Sequence, residues 1–274
     1  MALTEDTFIS HLVELRDRLM RALIAIAVAF ALIGFWPTYG VIYDFLALPL
    51  IQTLPAGSKM IATGVITPFL IPLKVGLMAA FLLVLPYVLY QAWAFVAPGL
   101  YAHEKKLVLP LVVSSTLLFI VGVAFCYYLV FGQLFRFIAG FAPASITPAP
   151  DIEQYLSFVI TMFLAFGVAF EVPVAIIVLV RMGVVSVKQL RDFRGYFVVC
   201  ASIAAAVVTP PDVVSMLALL IPMCVLYEAG IIAAGFITTV KKPEAAGDAD
   251  ATLTPEQVAQ EFAVVEKEQN SGGR

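Results

Sequence analysis

Apolar residues fill this chain in long blocks, with charged residues gathered between them. Six blocks stand out, at 19–36, 69–95, 107–131, 155–182, 196–208 and 213–237. Most approach the roughly 20 residues a helix needs to cross a bilayer core. The fifth is short and would rise only about 20 Å. Ahead of the first block, residues 4–21 follow a different rule. Phe8, Leu12, Leu15 and Leu19 recur at helical spacing. The opposite face carries Glu14, Asp17, Arg18 and Arg21, with Glu14/Arg18 and Asp17/Arg21 spaced for ion pairs. Such a helix lies along a membrane interface and runs straight into the first block.

Breaks in the pattern place the connections. Residues 37–67 hold apolar pieces too short to cross, punctuated by Pro49, Pro55 and Pro68. They read as a structured outer cap shaped by Pro49. Pro86 predicts a kink in the second block, and Lys74 is placed to snorkel from its outer end. Residues 95–106, FVAPGLYAHEKK, break on Pro98-Gly99 and re-enter the membrane at once. Residues 132–154 read as a second outer loop. Trp36 and Trp93 read as interfacial anchors. The expected organisation is an amphipathic helix over 1–18, a membrane domain over 19–237 and a mostly disordered tail over 238–274.

Composition supports this division. The chain is 62% hydrophobic and 13% charged, about half the charge of a soluble domain. It reads as an all-α polytopic membrane protein with six transmembrane helices. Orientation follows from the basic residues. With the N-terminus inside, Arg16, Arg18, Arg21, Lys105, Lys106, Arg181, Lys188, Arg191, Arg194 and the four basic residues of the tail are all internal. Only Lys59, Lys74 and Arg136 are external. The bias predicts that both termini are inside. There is no basic face for nucleic acid.

The acids inside or beside the apolar blocks are the candidate chemistry. Glu171 lies within the fourth block, where a carboxylate costs roughly 2.5–3.5 kcal/mol to insert. It is therefore protonated, paired, or facing water or a partner helix. The alternative is a structural hydrogen bond inside the bundle, as to backbone freed by Pro173. Glu14 and Glu104 both fall on the inner side and can together grip two guanidinium groups. Taken singly, each also reads as a solvated surface charge. Asp212 follows two prolines and can cap the sixth helix. His11 and His103 have no companion at ligand spacing, so no metal site is expected. No cofactor motif is present. Cys126, Cys200 and Cys224 read as buried small hydrophobes. Neither a hydrolase serine elbow nor a catalytic dyad is present. A proton-coupled transporter using Glu171 stays open on these grounds, though no paired broken helices support it.

Four stretches carry a resemblance: HLVELRDRL at 11–19, FVAPGLYAHEKK at 95–106, FGVAFEVPV at 166–174 and TPPD at 209–212. In order and spacing they resemble TatC, the multispanning subunit of the twin-arginine protein translocase, over residues 8–237. The resemblance implies a cup-shaped six-span scaffold with no enzymatic activity and no cofactor. It implies a bacterial inner-membrane receptor for twin-arginine signal peptides. Such a receptor works in oligomeric complexes with the single-span subunits TatA and TatB. It exports folded proteins on the proton-motive force. Carried over, Glu14 and Glu104 hold the arginines, with Arg16 and Phe95 shaping the site. Glu171 faces the cavity and meets a partner helix or the inserted peptide. Pro49 shapes the outer cap and Asp212 the outer turn. The fifth and sixth spans, with Thr209, form the edge that docks TatA and TatB. Met216 stands where some members carry Gln, which removes one hydrogen-bond donor from that edge.

Overall fold

The computed structural model describes residues 2–34, 39–54, 60–96, 105–141, 149–209 and 212–237. Among these residues every regular element is helical apart from one isolated parallel bridge, between Ile61 and Asp151. The tail at 238–274, Trp36 and the loop at 97–104 lie outside the described residues.

Helix α1 spans Ala2–Gly34, 33 residues and about 50 Å, with no break at residue 18. It packs on α3 (Thr67–Leu83) and α4 (Leu85–Val96). These two helices meet at 63° around Val84. Pro86 lies just beyond the bend and has no N–H for the carbonyl of Leu82. The expected kink is thus a sharp joint.

Helix α2, Tyr39–Ile51, forms the outer cap. Pro49 sits in its last turn, where it cannot donate to the carbonyl of Phe45. That carbonyl accepts instead from the Tyr127 hydroxyl at 2.6 Å. The Tyr155 hydroxyl reaches the neighbouring Leu46 carbonyl, also at 2.6 Å. Two tyrosines from the bundle therefore hold the cap by its backbone.

Helix α5, Lys105–Phe125, passes through a π-helical turn, Cys126–Val130, into α6, Phe131–Phe141. The outer loop expected from residue 132 is therefore helical to 141. Phe131, Leu134 and Phe135 recur at helical spacing and are buried, and that burial stabilises the extra turns. Helix α7, Ile152–Phe170, is the centre of the bundle. Its Leu156, Val159, Met162, Phe163 and Phe166 fill the main core. The fourth block is not one helix. It breaks at Glu171 and resumes as α8, Val172–Arg181, with Pro173 in its first turn. The inner connection holds α9, Val187–Asp192, closed by a Ser186/Gln189 capping box. Helices α10, Arg194–Val208, and α11, Val213–Ile237, complete the chain. Gly230 on α11 lies so close to α8 that a Cβ there would sit 2.9 Å from the Cα of Pro173.

Three helical segments are long and apolar enough to cross a membrane: Val108–Gly140, Ile152–Arg181, which includes the one-residue turn at Glu171, and Val213–Phe236. The bent α3–α4 pair makes a fourth. The apolar half of α1 and the 15-residue α10 complete six passages. At about 22 Å, α10 falls short of the roughly 30 Å hydrocarbon core. Cys126 is buried as expected, whereas Cys200 is exposed on α10.

The outer rim is fastened by polar contacts. Asp151 caps α7 through the N–H groups of Glu153 and Gln154, and it accepts from the Thr63 hydroxyl and N–H. Lys74 does not snorkel to solvent. It pairs with Glu153 at 2.8 Å, because the first turn of α7 lies beside it. The Thr63 hydroxyl, then the Gln154 N–H, hold the Asp151 carboxyl down to about 2. Its ordinary value is near 4, so the clasp is intact above that and is lost as pH falls through about 2. Asp151→Ala is expected to melt below the wild type in detergent at pH 7, the gap closing as pH approaches 2. A gap that stays constant over that range contradicts the clasp.

Candidate functional site

The inner end of the bundle brings together groups from α1 and α4. Glu14 and Arg18 lie one turn apart, so their side chains meet on one face of α1. Both the Nε and one terminal nitrogen of Arg18 donate to the same oxygen, Glu14 Oε1, at 2.9 and 2.6 Å. The other terminal nitrogen reaches Gln91 Oε1 on α4 at 3.4 Å. Glu14 Oε2 is left facing the His11 ring, 3.9 Å from Nδ1. That ring stacks on Phe95, with centroids 4.4 Å apart. The result is a half-exposed carboxylate edge beside an aromatic face.

Of the residues expected at this surface, Glu14 and Phe95 are brought together through His11. Arg16 is not: it points outward and binds Asp17 at 2.8 Å. Asp17 therefore pairs with Arg16 and not with Arg21, as the helical spacing had suggested. Glu104 lies outside the described residues. His11 and Gln91 were not expected here. The signal for His11 was its spacing three residues before Glu14. For Gln91 it was a lone amide in an apolar run.

The second polar site is internal. Glu171 occupies the break between α7 and α8, and its Oε2 accepts a hydrogen bond from the Ser115 hydroxyl of α5. Ser115 Oγ in turn accepts from Trp93 Nε1 on α4 at 2.7 Å. Glu171 Oε1 is shut off from solvent and has no hydrogen-bond partner among the described residues. Trp93 is thus no interfacial anchor. It is buried against Val174 and Val178, because its N–H finds an acceptor inside the bundle. The Glu171 bond goes to a side chain and not to backbone freed by Pro173. A separate apolar hollow of about 370 Å³ lies between α1, α3, α5 and α7, lined by Leu23, Phe81, Phe119 and Phe163. Glu171 is not part of its lining.

The sequence and the fold both have close counterparts. The family described as Sec-independent protein translocase protein (TatC) matches residues 10–222. The chain belongs to the TatC family. The Sec-independent protein translocase protein TatC of Haemophilus influenzae is 48% identical over 228 residues, covering 83% of this chain and 88% of that protein. The Escherichia coli K12 protein of the same name is 48% identical over 229 residues with the same coverage. The Halothiobacillus neapolitanus TatC is 48% identical over 239 residues, and this chain spans 65% of its length. Two crystal structures of a twin arginine translocase receptor TatC match with a TM-score of 0.72. Identity is 34% and 35%, and the match covers 82% and 83% of this chain and 99% of each of theirs.

As a TatC-family protein the chain is a component of a protein translocase, a membrane transport subunit and not an enzyme. The all-α membrane fold read from the apolar blocks is the TatC fold. The outer positions singled out in this TatC chain fall as follows. Pro49 closes the cap helix and borders a hollow of about 340 Å³ with Tyr127, Tyr128 and Arg136. Asp212 Oδ1 accepts from the Ser215 N–H at 2.7 Å, at the start of α11. Thr209 is buried at the end of α10 and donates its hydroxyl to the Ala205 carbonyl at 2.8 Å. Met216 packs against the main core.

Proposed function

We propose that this chain is the receptor and scaffold for twin-arginine signal peptides in the bacterial inner membrane, exporting folded proteins on the proton-motive force. The observation that carries this reading is the Glu14 edge. Arg18 occupies one carboxylate oxygen, and the other faces the His11–Phe95 stack. A guanidinium fits there on two grounds. The free oxygen accepts a charge-assisted hydrogen bond, and an aromatic ring attracts the cation's face. Arg18 already shows what a guanidinium does at this carboxylate. Glu104 supplies the second acid for the second arginine.

TatA and TatB dock in this reading along α10 and α11. Tyr196, Val199, Ile203 and Val207 form an exposed apolar stripe at helical spacing on α10. Thr209 spends its hydroxyl on its own helix, and Met216 offers no donor. Apolar packing therefore carries most of that contact. Several copies assemble in the receptor complex.

A labelled twin-arginine peptide should bind the detergent-solubilised full chain, measured by fluorescence anisotropy. Replacing both arginines by lysine, or Glu14 by Gln, should weaken binding about tenfold or more, the worth of one charge-assisted bond. Lysine keeps the charge but loses the bidentate fork. Equal affinity for both peptides contradicts the assignment.

A further inference from the structure

Helix α4 makes polar contacts on two faces. Gln91 and Phe95, one turn apart, meet Arg18 and His11 of α1. Trp93 lies between them in sequence and points the other way, toward α5 and α8. Its neighbours there are Ser115, which is fully buried, and Glu171 beyond it. The three side chains form one line of hydrogen bonds from α4 through α5 to the junction of α7 and α8.

The direction of that line is set by Trp93. An indole N–H can only donate, so it must use a lone pair of Ser115 Oγ. The serine proton is then free to point at Glu171 Oε2. Glu171 Oε1 stays without a donor among the described residues, in a place closed to solvent. Leaving a buried acceptor unsatisfied is costly. The arrangement therefore keeps one carboxylate oxygen fixed and leaves the other as a buried, unused acceptor that a donor reaches only when the packing around it opens. Helix α4 is also short and joined to α3 by the 63° bend. Its contact with Arg18, at 3.4 Å, is the longest in the inner cluster's hydrogen-bond set.

We propose that Trp93 and Ser115 are positioning residues that orient Glu171 and couple it, through α4, to peptide docking at Glu14. This rests on the receptor reading above. An arginine arriving at Glu14 Oε2 sets a second cation beside Arg18, and the repulsion between them loosens the Arg18 contact with Gln91. Helix α4 then turns at the bend, and the indole leaves Ser115. The serine hydroxyl loses its alignment, and Glu171 is released to meet its partner.

The chain contains two tryptophans, Trp36 and Trp93. In the full-length Trp36→Phe protein, emission reports Trp93 alone. Titration with an unlabelled twin-arginine peptide free of Trp should shift the emission to the blue as the indole loses its hydrogen bond. The shift should saturate with the binding curve measured separately by anisotropy. Ser115→Ala should begin blue-shifted and show no further change, while Ser115→Thr restores the response. Ser115→Ala and Trp93→Phe should each lower export roughly tenfold while binding the peptide at least as tightly as the wild type, because coupling between two sites is reciprocal. Peptide bound with the emission unmoved overturns the coupling alone. Normal export by Ser115→Ala overturns the positioning role. Absence of peptide binding to the wild-type protein overturns the receptor reading and this inference with it.

Discussion

Glu104→Lys should abolish export of twin-arginine precursors while the protein still inserts and accumulates. The substitution does more than remove an acceptor. It puts a fixed cation beside His103, Lys105 and Lys106, where a guanidinium has to approach. Two unit charges 4 Å apart interact with about 4 kcal/mol at the effective dielectric of a protein surface. Attraction of that order becomes repulsion, and no rearrangement of Glu14 offsets it. Glu104→Gln removes the charge without reversing it and should retain residual export. The check is a periplasmic reporter carried by a twin-arginine leader, with membrane levels of the variant measured in parallel. Unimpaired export by a fully inserted Glu104→Lys protein contradicts the docking surface.

The second large effect is on stability. Gly122→Leu should destabilise the bundle by about 3 kcal/mol or more, the upper range for overpacking. Helices α5 and α7 approach so closely that a Cβ at Gly122 would lie 2.6 Å from the Phe166 carbonyl oxygen and 2.9 Å from the Phe170 ring. A backbone carbonyl in the central helix cannot step aside as a flexible side chain does. On the same interface, a Cβ at Gly167 would meet the Phe119 ring at 2.3 Å. Small residues are what allow membrane helices this approach. Gly132→Ala is the control for adding a side chain to a helical glycine, since its Cβ would meet nothing within 4 Å. Thermal unfolding in detergent should separate the two variants clearly. Equal melting temperatures contradict the tight α5–α7 contact.

The span pattern was legible because lipid-facing helices must be apolar along their length, and block length alone reveals that. What stayed hidden depended on contacts between blocks. Lys74 looks like a snorkelling residue until α7 places Glu153 beside it. Trp93 looks like a headgroup anchor until α5 offers Ser115. The π-helical turn at Cys126–Val130 leaves no mark in an apolar run, so the helix appeared to end there. The break at Glu171 was half visible, since Pro173 follows it, but the partner of its carboxylate was not. At the inner site, Glu14, Phe95 and the Glu14/Arg18 pair are legible in the sequence, whereas the roles of His11 and Gln91 depend on the packing of α1 on α4. Pairing across the bundle is a property of register, and a single sequence does not state register.

In the receptor reading proposed above, acids at the inner face grip a leader that bears two arginines. Photo-crosslinking groups at positions 14, 104 and 171, in membranes containing a twin-arginine precursor, test it most directly. Positions 14 and 104 should crosslink the arginine region of the leader, and a lysine pair in its place should remove those adducts. Position 171 should crosslink a partner subunit or the inserted leader. Adducts at 14 and 104 that persist unchanged with the lysine pair, or that never form with the arginine pair, contradict the account.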